Sequence, residues 1–225
     1  MLLFIDLSLF AEQIKATSLL EWIAVSFGVT EVLLARKNNV LLYPAGIIGI
    51  LCSGFLLVDA KLYAETLLHA YYLVMSIYGW ALWKNRSASG ASQITRSTQS
   101  EQKITWAIAL GGWAFLYFML TTFTDSDVPI VDAFVSSTAW AGMWLLAKRK
   151  LENWIWLNVS NLVAIPLLFH KQLILISFLT IFLFVVAIFA YFDWKKELDQ
   201  PHEIEHDSKR HTLDDYKSCE IPSDH

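Results

Sequence analysis

Seven apolar stretches, at about residues 20–36, 40–58, 62–83, 104–123, 130–147, 152–170 and 173–194, decide what this 225-residue chain can become. Roughly 20 residues of helix, rising about 1.5 Å each, cross the hydrocarbon of a bilayer. Hydrophobic residues make up 56% of the chain and charged residues 17%, an apolar excess that soluble domains do not carry in such blocks. With no water at membrane depth to pair backbone groups, helices that close their own hydrogen bonds are the expected form. The chain therefore reads as an all-α polytopic membrane protein.

Charge orients the spans. Arg36, Lys37, Lys84, Arg86, Arg96, Lys103, Lys148, Arg149, Lys150, Lys195 and Lys196 fall on one side, against Lys15, Lys61 and Lys171 on the other. The positive-inside rule then places the N-terminus outside and the C-terminus inside. Residues 1–18 form an amphipathic segment, without the basic start of a signal peptide. Next come a three-helix bundle over 20–84, a Ser/Thr/Gln-rich polar loop over 85–103 expected to be mobile, and a linker helix over 104–124. A second bundle over 130–194 follows, and an acidic tail over 195–225 is expected to be disordered and cytoplasmic.

The two bundles echo one another. Leu-Leu-Ala-Arg-Lys at 33–37 recurs as Leu-Leu-Ala-Lys-Arg at 145–149, Trp83-Lys84 as Trp194-Lys195, and Glu21 falls on Asp132. An offset near 111 residues with one helix between the halves makes them parallel 3+1+3 repeats. That architecture belongs to transporters whose site lies at mid-membrane between the halves.

Polar residues inside apolar helices mark candidate sites. In the sixth span Trp154, Asn158 and Asn161 recur at i, i+4 and i+7, with Trp156 beside them, so one face offers an indole and two amides. Such residues suit a flat polar ligand, although Trp154 also fits an interfacial belt and the asparagines fit helix–helix hydrogen bonding. In the third span Glu65, His69, Tyr72 and Ser76 share a face that must look away from lipid. They form either a packing network or the wall of a path. Gly46 and Gly49 in the second span give close helix packing or room for a ligand, and Pro44 is expected to kink that helix near its inner end. Glu31 is an ionisable group within a span. With Glu65, Glu21 and Asp132 it is a candidate counter-charge for a cationic substrate, and Glu21 and Asp132 are also candidate helix caps.

Other classes find little support. His202-Glu203-Ile204-Glu205-His206 matches the zinc-protease pattern but lies in a tail with no fold around it to complete a site. The two cysteines form neither a disulfide framework nor a zinc spacing. No nucleophile–base pair, phosphate-binding glycine loop or nucleic-acid patch is present, so no enzyme, cofactor, metal or nucleic-acid partner is expected. A membrane scaffold is the rival reading, but it has no need of the polar stripe.

Asn39 followed three residues later by Tyr43-Pro44-Ala45-Gly46-Ile47-Ile48-Gly49, then Lys61–Glu65, Ser76–Trp83, Asp132 and Glu152-Asn153-Trp154, resembles the PnuC family of nicotinamide riboside transporters. That family is akin to the SWEET sugar transporters, and the resemblance covers about residues 20–195. It implies a bacterial inner-membrane protein of seven helices, a homotrimer that takes up a vitamin by facilitated diffusion toward a cytoplasmic vitamin kinase. Trp154 and Asn161 stand where the family's sixth helix places Trp and Asn, and Gly46, Tyr78, Gly79 and Trp80 match its first half. The family's second Trp falls here on Leu157, with Trp156 one step earlier. His69 replaces a frequent Gln, and Gly49 replaces an Asn. These departures keep thiamine and riboflavin as alternative substrates.

Overall fold

The computed structural model describes residues 7–59, 63–88, 94–124 and 126–199, with side chains from residue 12 onward except those of 63–68 and 86–88. The tail from residue 200, with its expected disorder and its His202–His206 motif, lies outside the described residues. Among the described residues are eight helices: α1 (Leu7–Ala16), α2 (Leu19–Arg36), α3 (Leu42–Asp59), α4 (Tyr63–Ala88), α5 (Gln99–Phe123), α6 (Pro129–Ala147), α7 (Asn153–His170) and α8 (Ile174–Asp199).

The helices start where local chemistry starts them. Ser18 caps α2 while Glu21 reaches back to the Ser18 N–H at 2.6 Å, and Thr98 and Glu101 build the same capping box on α5. Pro129 opens α6, where its missing N–H costs no hydrogen bond. Pro44 likewise lies in the first turn of α3, and the Val40 carbonyl accepts the Tyr43 N–H at 3.2 Å, so the expected kink has no cause. Four helices are long and apolar enough to span a membrane: α3, α5, α6 and α8. Among the other long helices, α2 carries Glu21, Glu31 and Arg36, and α7 carries Trp154, Trp156, Asn158 and Asn161, which lower their hydropathy.

Packing between helices closes a circuit. α2 packs on α3, α3 on α4, α4 on α6, α6 on α7, α7 on α8, and α8 returns to α2. α5 lies against α6 and touches α4. α1 is tied to the start of α8, because Gln13 donates to the Gln172 carbonyl at 2.7 Å and accepts from the Leu175 N–H at 3.0 Å.

At the end bearing most of the basic residues, contacts recur 111 residues apart. Asn38 and Arg149 both turn the chain at positive φ, 51° and 55°. The Asn38 N–H bonds the Ala35 carbonyl at 3.0 Å, as the Arg149 N–H bonds that of Leu146 at 2.9 Å. Tyr43 meets Trp83 edge-on at 5.2 Å, as Trp154 meets Trp194 at 5.5 Å. Trp83 of α4 donates its indole N–H to the Ala147 carbonyl ending α6, at 3.0 Å. Trp194 of α8 donates to the Ala35 and Arg36 carbonyls ending α2, at 3.0 and 3.1 Å. Trp83, Trp154 and Trp194 are all buried, within one cluster that includes Leu42, Tyr43, Leu146 and Leu151.

The polar loop is less free than its composition suggested, and shorter. α4 runs on to Ala88, and residues 94–98 are pinned to the α6–α7 corner. Ile94 is buried in the tryptophan cluster, the Thr95 N–H bonds the Arg149 carbonyl, and the Leu151 N–H bonds that of Thr95. Ser97 N–H bonds the Glu152 carboxylate at 2.9 Å, and Lys150 pairs with Glu101 at 2.9 Å. Backbone pairing and one buried isoleucine outweigh the entropy that the polar sequence would otherwise retain. Desolvation pushes the Glu101 carboxyl up. Hydrogen bonds from the Thr98 backbone, Lys150 and the Thr98 hydroxyl, with the Lys150 charge, outweigh it and hold the carboxyl at about 2. A carboxyl lowered on folding stabilises fully above its ordinary value near 4.5, and that contribution is lost as the pH falls toward 2. Glu101→Gln keeps the cap and removes the charge. It is expected to cost about 0.5–1 kcal/mol at neutral pH, read as a lower melting temperature in detergent, with the gap to wild type closing in acid.

Candidate functional site

The stripe of α4 is turned from the exterior. Ala70, Val74, Ile77 and Ala81 form the exposed face, while His69, Tyr72 and Ser76 occupy the opposite one, Ser76 being fully buried. Glu65 shares that register, and its side chain lies outside the described residues. His69 meets Tyr72 edge-on at 5.7 Å. Tyr71, which the stripe does not include, crosses to α6: its ring stacks on Trp140 at 4.4 Å and its hydroxyl donates to the Trp140 carbonyl at 3.2 Å. Helical periodicity assigns Tyr71 to a flank, and only the neighbouring helix reveals its use.

The α7 candidates divide. Ile155, Val159, Leu162 and Pro166 form the exposed face, and Asn161 lies well round the helix from it. Trp154 and Asn158 line a groove of about 330 Å³ between α7 and α8, beside Tyr191 and Phe192. Neither the Trp154 indole N–H nor the Asn158 carbonyl oxygen, both buried, has a hydrogen-bond partner among the described residues. Trp156 lies on the other flank, edge-on to Trp106 of α5 at 4.9 Å, in a cavity of about 420 Å³ between α5, α6 and α7. It is thus apart from Asn158. Trp154 stands in the first turn of α7 against Trp194, nearer the basic end than the helix centre.

Both candidate glycines of α3 face α2. The carboxyl of Glu31 fills the space a side chain at Gly46 would need, with its atoms 2.5–2.8 Å from where Cβ would stand. Gly49 faces the Ala24 carbonyl and the Gly28 amide at 3.4–3.5 Å, so its bareness serves close packing. In the other half the arrangement is exchanged: Gly142 of α6 is the bare position and Leu157 of α7 fills it. A carboxylate thus stands on one side where an isobutyl group stands on the other.

The outer acids have structural partners. Glu21 belongs to the α2 capping box. Asp132, in the first turn of α6, pairs with Lys171 at 2.7 Å and accepts from the Ser126 hydroxyl. Among the described residues no cluster of His, Cys, Asp and Glu is placed to hold a metal ion.

The sequence model of the family described as Nicotinamide mononucleotide transporter matches residues 18–196, all of α2 to α7 and nearly all of α8. The chain belongs to this family. It is a multi-pass membrane transporter rather than an enzyme, and the family's function is the transport of a vitamin-derived compound. The fold is also that of a solved protein, described as the crystal structure of the vitamin B3 transporter PnuC. The TM-score is 0.65 at 18% identity, over 80% of this chain and 82% of that one. The family match takes in the polar stripe of α4, Glu31 and the asparagines of α7, and leaves α1 outside.

The glycines separate packing from function. At Gly79 an added Cβ would stand 2.5–2.6 Å from the buried ring of Tyr43, which cannot move aside. Gly79→Ala is therefore expected to cost about 1–3 kcal/mol in detergent unfolding. Gly46→Ala meets only the end of the flexible Glu31 side chain, and is expected to unfold close to wild type while displacing that carboxylate.

Proposed function

We propose that this chain carries nicotinamide riboside into the cell by facilitated diffusion, through the circuit formed by α2, α3, α4, α6, α7 and α8. The observation that carries the reading is the stripe of His69, Tyr72 and Ser76, turned from the exterior in a helix that packs on both α3 and α6. Polar groups at membrane depth are expensive unless they pair or serve a ligand. Asn161 on α7 supplies an amide for a ribose hydroxyl or a carboxamide. The pyridinium ring is cationic, and an aromatic face contributes about 2 kcal/mol to such a ring once it is desolvated. Tyr72 and Trp154 are the faces we assign, with Asn158 and His69 completing the polar lining and Glu31 and Glu65 supplying negative charge.

In this reading α2 to α8 are seven spans arranged as parallel 3+1+3 repeats. The recurrence of turns, indole hydrogen bonds and edge-on aromatic pairs 111 residues apart supports that arrangement. So does the circuit itself, in which the α4–α6 contact is the repeat counterpart of the α8–α2 contact. The basic end faces the cytoplasm of a bacterial cell and the end with Asp132 and Lys171 faces outward. The two bundles rock about the ligand to expose it alternately. Assembly as a homotrimer and removal of product by a cytoplasmic vitamin kinase follow from the same family reading.

His69, Gly49 and Leu157 stand where the family pattern differs, which keeps thiamine and riboflavin as competing substrates. Titrating the purified protein with each vitamin, read by tryptophan fluorescence and corrected for ligand absorbance, decides among them. Saturable quenching by nicotinamide riboside is expected. Asn161→Ala should weaken it about tenfold, the loss of one hydrogen bond worth about 1.4 kcal/mol. Quenching by thiamine or riboflavin instead would reassign the substrate, and no response to any of the three would favour the scaffold.

A further inference from the structure

We infer that Trp83 and Trp194 are a reciprocal latch that closes the cytoplasmic mouth between the two bundles, an inference that rests on the transport reading above. Each indole belongs to one bundle and donates to the other. Trp83 of α4 holds the carbonyl that ends α6, and Trp194 of α8 holds the carbonyls that end α2. Carbonyls in the last turn of a helix have no N–H of their own helix to accept. The two bundles thus complete each other's helix ends, and both N–H groups are satisfied only while the bundles are together. The indoles also approach each other, with centroids 6.3 Å apart at the meeting of the two halves, and both are fully buried. Tyr43 and Trp154 brace them edge-on from α3 and α7.

Position along the membrane makes this a latch rather than a fixed joint. Deep in the bilayer a parted N–H would find no partner, but at the mouth water replaces the lost hydrogen bonds as the bundles separate. Opening therefore exposes two indoles and four backbone or indole polar sites to solvent without stranding any of them in lipid.

The two seams are not equal. Beside Trp194, Arg36 pairs with Asp193 at 2.6 Å and the Asn38 amide donates to Glu197 at 2.8 Å, both joining α2 to α8. Beside Trp83 the residue matching Asn38 is Arg149, whose guanidinium lies 3.8 Å over the Trp83 ring. Removing the Trp83 hydrogen bond leaves that cation over the ring, whereas the α2–α8 seam retains two side-chain links. The α4–α6 seam is accordingly the one that parts first.

Nitroxide labels at Lys84 and Lys195 test this, in full-length protein carrying Cys52→Ser and Cys219→Ser, reconstituted in nanodiscs and measured by pulsed electron–electron resonance. Both positions are exposed and stand one residue beyond the paired tryptophans. Trp83→Phe is expected to add a population at longer distance, and Trp194→Phe to add a smaller one. Replacing either residue by 3-benzothienylalanine, which keeps both rings and exchanges the N–H for sulfur, should reproduce the shift if the Phe variant does not fold. Unchanged distance distributions at both positions overturn the latch. Because the distances are read without ligand, failure of the vitamin assignment leaves this result standing on its own.

Discussion

Two indole hydrogen bonds that cross between the halves of the molecule hold its basic end together. Trp83 and Trp194 each satisfy backbone carbonyls at the end of a helix belonging to the other half. Helix ends are where a membrane helix is poorest in partners, so satisfying them across the interface joins local structure to overall assembly. Around these bonds lie Tyr43, Trp154, Ile94 and Leu151, and the loop at 94–98 docks on the same corner. The opposite end is held by polar links of another kind, between Gln13 and the α7–α8 turn and between Asp132 and Lys171.

Equivalence between the halves is close in backbone and loose in side chains, and the differences fall where selectivity would be set. The turns at Asn38 and Arg149 share their geometry. At Gly46 and Gly142, by contrast, the bare residue changes helix and its filler changes from a carboxylate to leucine. A ligand between two such halves meets unlike walls, with His69 and Tyr72 on α4 and no aromatic counterpart at Thr180 and Leu183 of α8. One side can then recognise charge and hydrogen bonding while the other supplies apolar contact.

Much of this was legible in the sequence. Apolar blocks located every long helix to within a few residues, because a helix in lipid needs both length and hydropathy. Helical spacing correctly turned His69, Tyr72 and Ser76 from the exterior, and the recurrence of Trp-Lys at 83 and 194 was visible. What spacing does not carry is the partner on another helix. Hence the crossing role of Trp83 and Trp194, the Tyr71–Trp140 stack, the seating of Glu31 on Gly46, and the separation of Trp156 from Asn158 emerged only with the packing. Polar composition also misjudged residues 94–98, where backbone hydrogen bonds to the α6–α7 corner fix a loop whose side chains gave no sign of it.

The central claim is that a vitamin passes through the space bounded by the six helices. Counterflow of radiolabelled nicotinamide riboside into liposomes containing the purified protein tests it most directly. Vesicles preloaded with unlabelled vitamin should accumulate label transiently, without an ion gradient or ATP, and unloaded ones should only equilibrate. Label entering no faster than into protein-free vesicles, with nicotinamide riboside, thiamine and riboflavin alike, would contradict the account.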